Sequence, residues 1–204
     1  ILPATMDSLM LAAEMDDGVI LRGESSIRGA GGRIVRVMIE PEDATPYGPA
    51  IEAINDAQLI LIGPDSLYTS ILPDLLVQNV TNAIENADAT AMYICNVAIE
   101  KGETDDYSIA DHLQALQRHT VAGIVDYVVA NEMPRGEMAH GPSELVADDG
   151  CRSPHARFML GDLSDPEHPV RHDSAKLARF VMEVFDDSRK SNSHKKMARR
   201  IIPS

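Results

Sequence analysis

A three-layer α/β fold with a mainly parallel central sheet and an N-terminal β-hairpin is predicted by three features of the chain. Apolar runs at 58–62, 90–97 and 123–130 suit strands covered on both faces, as parallel strands are. Helical patterns alternate with these runs, and that β-α-β-α order is what parallel crossover connections produce. Upstream, Asp16-Asp17-Gly18 places a glycine where a tight turn needs positive φ, between two strand-like segments.

Residues 8–15 and 19–24 flank that turn as the two hairpin strands, and 33–39 forms a further strand. Between them, Arg28-Gly29-Ala30-Gly31-Gly32 resembles a nucleotide loop only superficially, because no helical pattern follows it; it reads as a flexible hairpin connection. From Gly48 the texture changes. Ile51, Ile54 and Ala57 give a short helical face, and 67–76 and 80–87 are helical with a break near Pro73. Residues 108–119 form a helix with Ile109, Leu113 and Leu116 as its apolar stripe, and Ser108 with Asp111 three residues on makes a capping box. The stretch 131–151, rich in Gly, Pro and acids, carries loops or a flap, with short strand candidates at 145–147 and 158–160. The last helix runs over 173–187, with Leu177, Val181 and Val184 inward and Asp173 as its cap. One domain over 1–187 and a basic, flexible tail over 188–204 account for the chain.

At 204 residues there is ample length to bury a core without disulfides, and Cys95 and Cys151 have no zinc-like spacing, so a reducing cytoplasm is the simplest compartment. The apolar runs are short and interrupted, which predicts no signal peptide and no membrane span. A net charge of −14 argues against nucleic-acid binding by phosphate neutralisation. The charge is uneven: 188–204 holds six basic residues and no acidic one, leaving −20 for the rest. That tail is a candidate contact for nucleic acid, acidic lipid or a protein partner, and a solvated terminus is the plainer reading. The opening Ile1-Leu2-Pro3 reads as the interior of a domain, so the chain is expected to be the latter part of something longer.

The strand Leu59-Ile60-Leu61-Ile62 stops at Gly63-Pro64 and delivers Ser66, Tyr68, Thr69 and Ser70 to a helix start. Ligands of parallel sheets gather at the carboxyl ends of the strands, so backbone amides there, with the hydroxyls of Ser66, Thr69 and Ser70, would cradle a phosphate. At the end of the next strand, Asn96 would bond a sugar hydroxyl or base edge and Thr104 a phosphate; a satisfied strand-end amide is the alternative for Asn96. His112, with Asp111 beside it, lies at the margin of an apolar stripe, where a core histidine is commoner than a catalyst. Glu103, Asp105 and Asp106 would hold magnesium beside a diphosphate, or simply be solvated. Arg171 and His172 precede the last helix, where an arginine suits bidentate phosphate binding; pairing with a nearby acid is the alternative. Ser66 lacks the flanking glycines of a nucleophile elbow, so no Ser-His-Asp triad is assigned.

These residues resemble a known family. Ile1-Leu2-Pro3-Ala4, Met15-Asp16-Asp17-Gly18, Gly23-Glu24-Ser25, the segment from Gly63 to Pro73, Tyr93-Ile94-Cys95-Asn96, Gly102-Glu103-Thr104-Asp105 and Asp111-His112-Leu113-Gln114-Ala115 occur in this order in the bacterial gluconeogenesis factors (YvcK-like). Those factors share a superfamily with 2-phospho-L-lactate transferase (CofD-like). The similarity runs from Ile1 to about Asp126 and resumes at Val170-Arg171-His172. It implies a Rossmann-like fold and, on the gluconeogenesis-factor branch, a cytoplasmic regulator that binds a UDP-sugar or related nucleotide and affects carbon use, cell shape and wall synthesis. A protein partner and a homo-oligomer fit such a role. The transferase branch implies instead a magnesium-assisted phospholactyl transfer to a deazaflavin, with Asp111 and His112 nearer the chemistry. Two departures stand out: the family's opening Gly-rich loop and Asp-Gly-Gly-Ser-Ser-type motif are absent here, and Asp65 stands where the family usually has Gly. A carboxylate at that point repels a phosphate unless its side chain turns away or binds a metal.

Overall fold

In the computed structural model, which describes residues 1–132 and 145–201 with side chains as far as 190, two sheets share the work of the fold. The hairpin strands β1 (Met10–Met15) and β2 (Ile20–Arg22) pair antiparallel, and β3 (Ile34–Glu40) joins the other side of β1, giving a three-stranded sheet in the order β2-β1-β3. The central sheet is separate and wholly parallel. Its strands β4 (Leu59–Ile62), β5 (Thr90–Ile94), β6 (Tyr127–Asn131) and β7 (Arg157–Gly161) pair in sequence order, with Ile62 opposite Tyr93 and Ile94 opposite Val129.

Period-two alternation explains how one sheet feeds two cores. Along β5, Ala91 and Tyr93 enter the large core formed with α3 (Leu72–Leu76), α4 (Val80–Asn86) and α5 (Ile109–His119), against which Ile51 and Ile54 of α2 (Gly48–Asn55) pack. Met92 and Ile94 point the other way, against Val181, Val184 and Phe185 of α6 (Ser174–Ile201). On β6, Val128 and Ala130 take the first face and Val129 the second. The sheet is therefore covered by helices on both sides, as its largely apolar strands require.

The predicted caps are present. Ser108 Oγ accepts from Asp111 N (3.1 Å) while Asp111 Oδ2 accepts from Ser108 N (2.9 Å), closing the box at the start of α5. Asp173 Oδ1 accepts from the amides of Ala175 and Lys176 at the start of α6.

Three segments differ from expectation. Residues 24–29 are helical (α1, Glu24–Gly29) rather than strand and flexible connection; only Ile27 of this helix is buried, so it leaves no periodic trace in the sequence. Residues 67–71 form a wide π-type turn that runs into α3, with Pro73 in the first turn of α3, where its missing N–H costs no hydrogen bond. Finally, α6 continues past Asp187 to Ile201, through the segment expected to be a tail; its basic residues are good helix formers, and Gly and Pro are absent until Pro203. Of the expected loop or flap, 133–144 lies outside the described residues, while Leu145 and Ala147 bridge to Ala98 and Ser108.

Candidate functional site

A cavity of about 750 Å³ opens where β4 and β5 end and α6 begins. Gly63 and Pro64 border it from the end of β4, Asn96 and Glu100 from the segment after β5, and Arg171, His172 and Ser174 from the entry to α6. Its remaining wall is apolar, built from Leu59 and Leu61 on β4 and from Leu177, Val181 and Met182 on α6. The Gly63 backbone is close-packed there: φ is +84°, and a Cβ would stand 2.9 Å from the carbonyl oxygen of Ile94. Only glycine suits both constraints.

The structure therefore brings together Gly63, Pro64, Asn96, Arg171 and His172, five of the residues singled out in the sequence. Among the described residues the Arg171 guanidinium has no ion-pair partner, and no ion pair joins it to Glu100, the other charged group on the cavity wall. Asn96 donates from Nδ2 to the carbonyl of Asp65 (3.0 Å), which leaves its amide oxygen for another partner. The His172 ring has a buried Nε2 without a hydrogen-bond partner among the described residues, and burial lowers its pKa, which favours the neutral imidazole.

The hydroxyls of Ser66 and Thr69 in the expected cradle are engaged within the chain. Ser66 Oγ accepts from Arg28 Nη2 (2.9 Å) and donates to Glu100 Oε1 (2.7 Å). Thr69 Oγ1 accepts from the same Nη2 (3.0 Å) and donates to Glu103 Oε1 (2.8 Å). The helix start does hold anions, but they are the chain's own: Asp65 Oδ1 accepts from Ser66 N (2.7 Å) and Glu103 Oε2 from Tyr68 N (3.3 Å). Glu103 is almost fully buried and ion-paired to Arg28 Nε (3.0 Å), so its negative charge is compensated where a phosphate would sit. Ser70 faces a second hollow beside Asp65 and Asp74. The Asp65 side chain thus lies outside the main cavity.

The other expected site residues have structural partners. Tyr68 is buried with its hydroxyl bonded to that of Tyr107 (2.7 Å), and burial drives its pKa upward. Thr104 is fully buried and accepts from Glu100 N (2.9 Å), so it shapes the turn that carries Glu100. Asp111 belongs to the capping box, and His112 is buried on α5 with Nδ1 bonded to the Ser108 carbonyl (2.9 Å); neither lines the cavity. For magnesium the fit is poor. Asp105 Oδ2 accepts from Gly102 N (2.7 Å), Glu103 is held by Arg28, and among the described residues no three His, Cys, Asp or Glu side chains are placed to share a metal ion.

Glu100 and Arg28 escaped the sequence reading. Arg28 is 38 residues from Ser66 in sequence, and its place at the head of a glycine-rich run does not mark it as that residue's partner. Glu100 carries a weak signal: it falls in the segment that follows a buried strand of a parallel sheet, where ligand-facing residues collect. Among the described residues no helix is long and apolar enough to cross a membrane.

Comparison with known proteins identifies the family. The model of the family described as 2-phospho-L-lactate transferase CofD matches residues 1–187. A protein named gluconeogenesis factor from Bacillus subtilis is 47% identical over 187 residues, 92% of this chain and 53% of its own length. Another of that name from Halalkalibacterium halodurans is 39% identical over 193 residues, 90% of this chain and 59% of its own. A crystal structure of a UPF0052-family protein from Bacillus halodurans superposes with a TM-score of 0.81 at 37% identity, covering 89% of this chain and 61% of that one. The chain spans between about half and three fifths of these relatives. It belongs to the CofD family, and its likeness to the gluconeogenesis factors extends over nearly all of its length.

Proposed function

We propose that the chain carries the sugar-diphosphate part of a nucleotide-sugar site and acts as a cytoplasmic ligand-binding regulator. The observation that supports this reading best is that Arg171, without an ion-pair partner among the described residues, borders a cavity at the carboxyl ends of two parallel strands. An arginine fork matches a diphosphate with two charge-assisted hydrogen bonds, and Asn96 and His172 supply uncharged groups for the hydroxyls beside it. The name of the relatives, gluconeogenesis factor, extends the proposal to control of gluconeogenic carbon use. Influence on cell shape and wall synthesis belongs to the same proposal, since a UDP-sugar is a wall precursor. Binding would pass metabolic state to a protein partner.

The rival reading, phospholactyl transfer to a deazaflavin, draws on the family description. It is supported less well, because Asp111 caps α5 and His112 is buried in the core away from the cavity. Titration calorimetry with UDP-N-acetylglucosamine tests the first reading. Saturable heat is expected, with Arg171→Ala weakening binding roughly ten- to a hundredfold, the worth of a hydrogen bond to a charged group. Equal binding by the variant, or no heat from the wild type, removes the claim.

A further inference from the structure

The first strand of the central sheet ends it with an uncovered edge. Among the described residues β4 pairs with β5 alone, and the register runs without a shift from Leu59 opposite Thr90 to Ile62 opposite Tyr93. Gln58 O accepts from Thr90 N at 3.0 Å, and every second residue on from Gln58 turns its amide and carbonyl to β5, so the N–H and C=O of Leu59 and Leu61 face outward. Soluble proteins blunt such edges with charge, proline or a bulge, and Leu59-Ile60-Leu61-Ile62 has none of these. Its side chains are uncovered too. Leu61 is 47% exposed, with Met182 of α6 at 48% and Val170 at 41% on the wall of the same cavity. A second hollow of about 420 Å³ also reaches the strand, bordered by Ile54 of α2, Leu75 of α3 and Ile84 of α4. Leu61, Gly63 and Pro64 border both hollows, so β4 forms a ridge between them.

We infer that the open edge of β4 is a docking surface for an extended apolar strand of polypeptide, drawn from the length by which the relatives exceed this chain. Three observations select that occupant. A strand laid along β4 takes up the outward amides and carbonyls of Leu59 and Leu61, and its alternate side chains enter the two hollows, as the period of two requires. The edge carries no charge, so it matches an apolar strand and not an acidic or basic peptide. The match accounts for 53% of the Bacillus subtilis relative and 61% of the solved Bacillus halodurans protein, so each has ample further chain to supply a strand and the residues that cover Leu61 and Met182. With that strand in place β4 becomes an interior strand, the position its composition suits. The docked strand covers Leu59 and Leu61, whereas the ligand reading uses Asn96, Arg171 and His172. The two proposals therefore stand on different residues of one region.

The probe is the part of the Bacillus subtilis relative outside the match, co-expressed with this chain as a separate polypeptide. Sedimentation is expected to show a one-to-one complex. Hydrogen exchange should show the Leu59 and Leu61 amides fast in the chain alone and slowed by about tenfold or more in the complex, with Ile60 and Ile62, already bonded to β5, changing less. Leu61→Pro removes an outward N–H while keeping extended backbone, so the variant should fold, as circular dichroism reads it, and lose the complex. Leu61→Lys keeps the amide and puts a charge on the edge, and should weaken the complex by about tenfold. Slow exchange at Leu59 and Leu61 in the chain alone overturns the inference, as does the absence of a complex, or a complex that leaves these amides fast or survives both substitutions. Self-association of the chain through this edge that the probe does not displace overturns it too. No nucleotide-sugar enters these measurements, so their failure leaves the ligand reading intact, and failure of ligand binding leaves this surface intact.

Discussion

Arg28 donates from Nε to Glu103 and from Nη2 to Ser66 and Thr69, and through these bonds it sets what the neighbouring helix start binds. The hydroxyl-rich sequence after Gly63 reads as a phosphate cradle because spacing shows which groups are available, not which are already engaged. Glu103 and Asp65 engage them. Arg171 stands out in the sequence because an arginine just before a helix suits an anion, and the residue borders the cavity. Histidines supply a test at this scale. His119 Nε2 accepts from Val37 N at 3.0 Å, which only an unprotonated nitrogen does, and burial lowers the pKa of His119, as it does for His112 and His172. The unfolded chain takes up protons below its histidine pKa of about 6.5 while the native state does not, so stability is highest above that pH and falls below it. The slope is at most about 1.4 kcal/mol per pH unit for each histidine, until the lowered native values are reached. Glu100 and Asp74, whose pKa values burial raises, act in the opposite direction at more acid pH. Urea unfolding at pH 7.5 and 5.5 should show the loss, and His119→Gln should flatten it; identical pH profiles for the two proteins would contradict the assignment.

Elements with strong periodic or capping patterns were readable, and those held by distant contacts were not. The strands β4 to β6 follow from short apolar runs, and α5 follows from its stripe and its Ser108 cap. By contrast, α1 is fixed by tertiary packing: Ile27 is buried, and the Arg28 carbonyl stands 2.8 Å from where a Cβ on Gly102 would be. A six-residue helix with one buried residue leaves no window long enough for a 3.6-residue period to emerge. The capping box makes a prediction of its own. Ser108→Ala removes the acceptor for Asp111 N and should cost about 1 kcal/mol in chemical denaturation, with faster hydrogen exchange in the first turn of α5. Ligand affinity should not change, because neither Ser108 nor Asp111 lines the cavity. Unaltered stability would show that the cap contributes little.

Across the whole molecule the sheet explains the site. Parallel strands in sequence order place the ends of β4 and β5 side by side, and α6, packed on Met92, Ile94 and Val129, carries Arg171 and His172 to the same end. Strand order and the joining of Gly63 to Asn96 were therefore accessible from the alternation of elements. The separation of the hairpin and β3 into a sheet of their own was not, since hydrophobic alternation shows which face is buried and not which sheet a strand joins. The central claim is that a nucleotide-sugar occupies the cavity bounded by Gly63, Asn96, Arg171 and His172. Amide chemical-shift mapping of the isotopically labelled chain during titration with UDP-N-acetylglucosamine tests it most directly. Saturating shifts at Gly63, Asn96, Glu100, Arg171 and His172, with Tyr68 and His112 unmoved, are the predicted result; shifts centred on Ser66 to Thr69 with Arg171 silent, or no shifts at all, would contradict it.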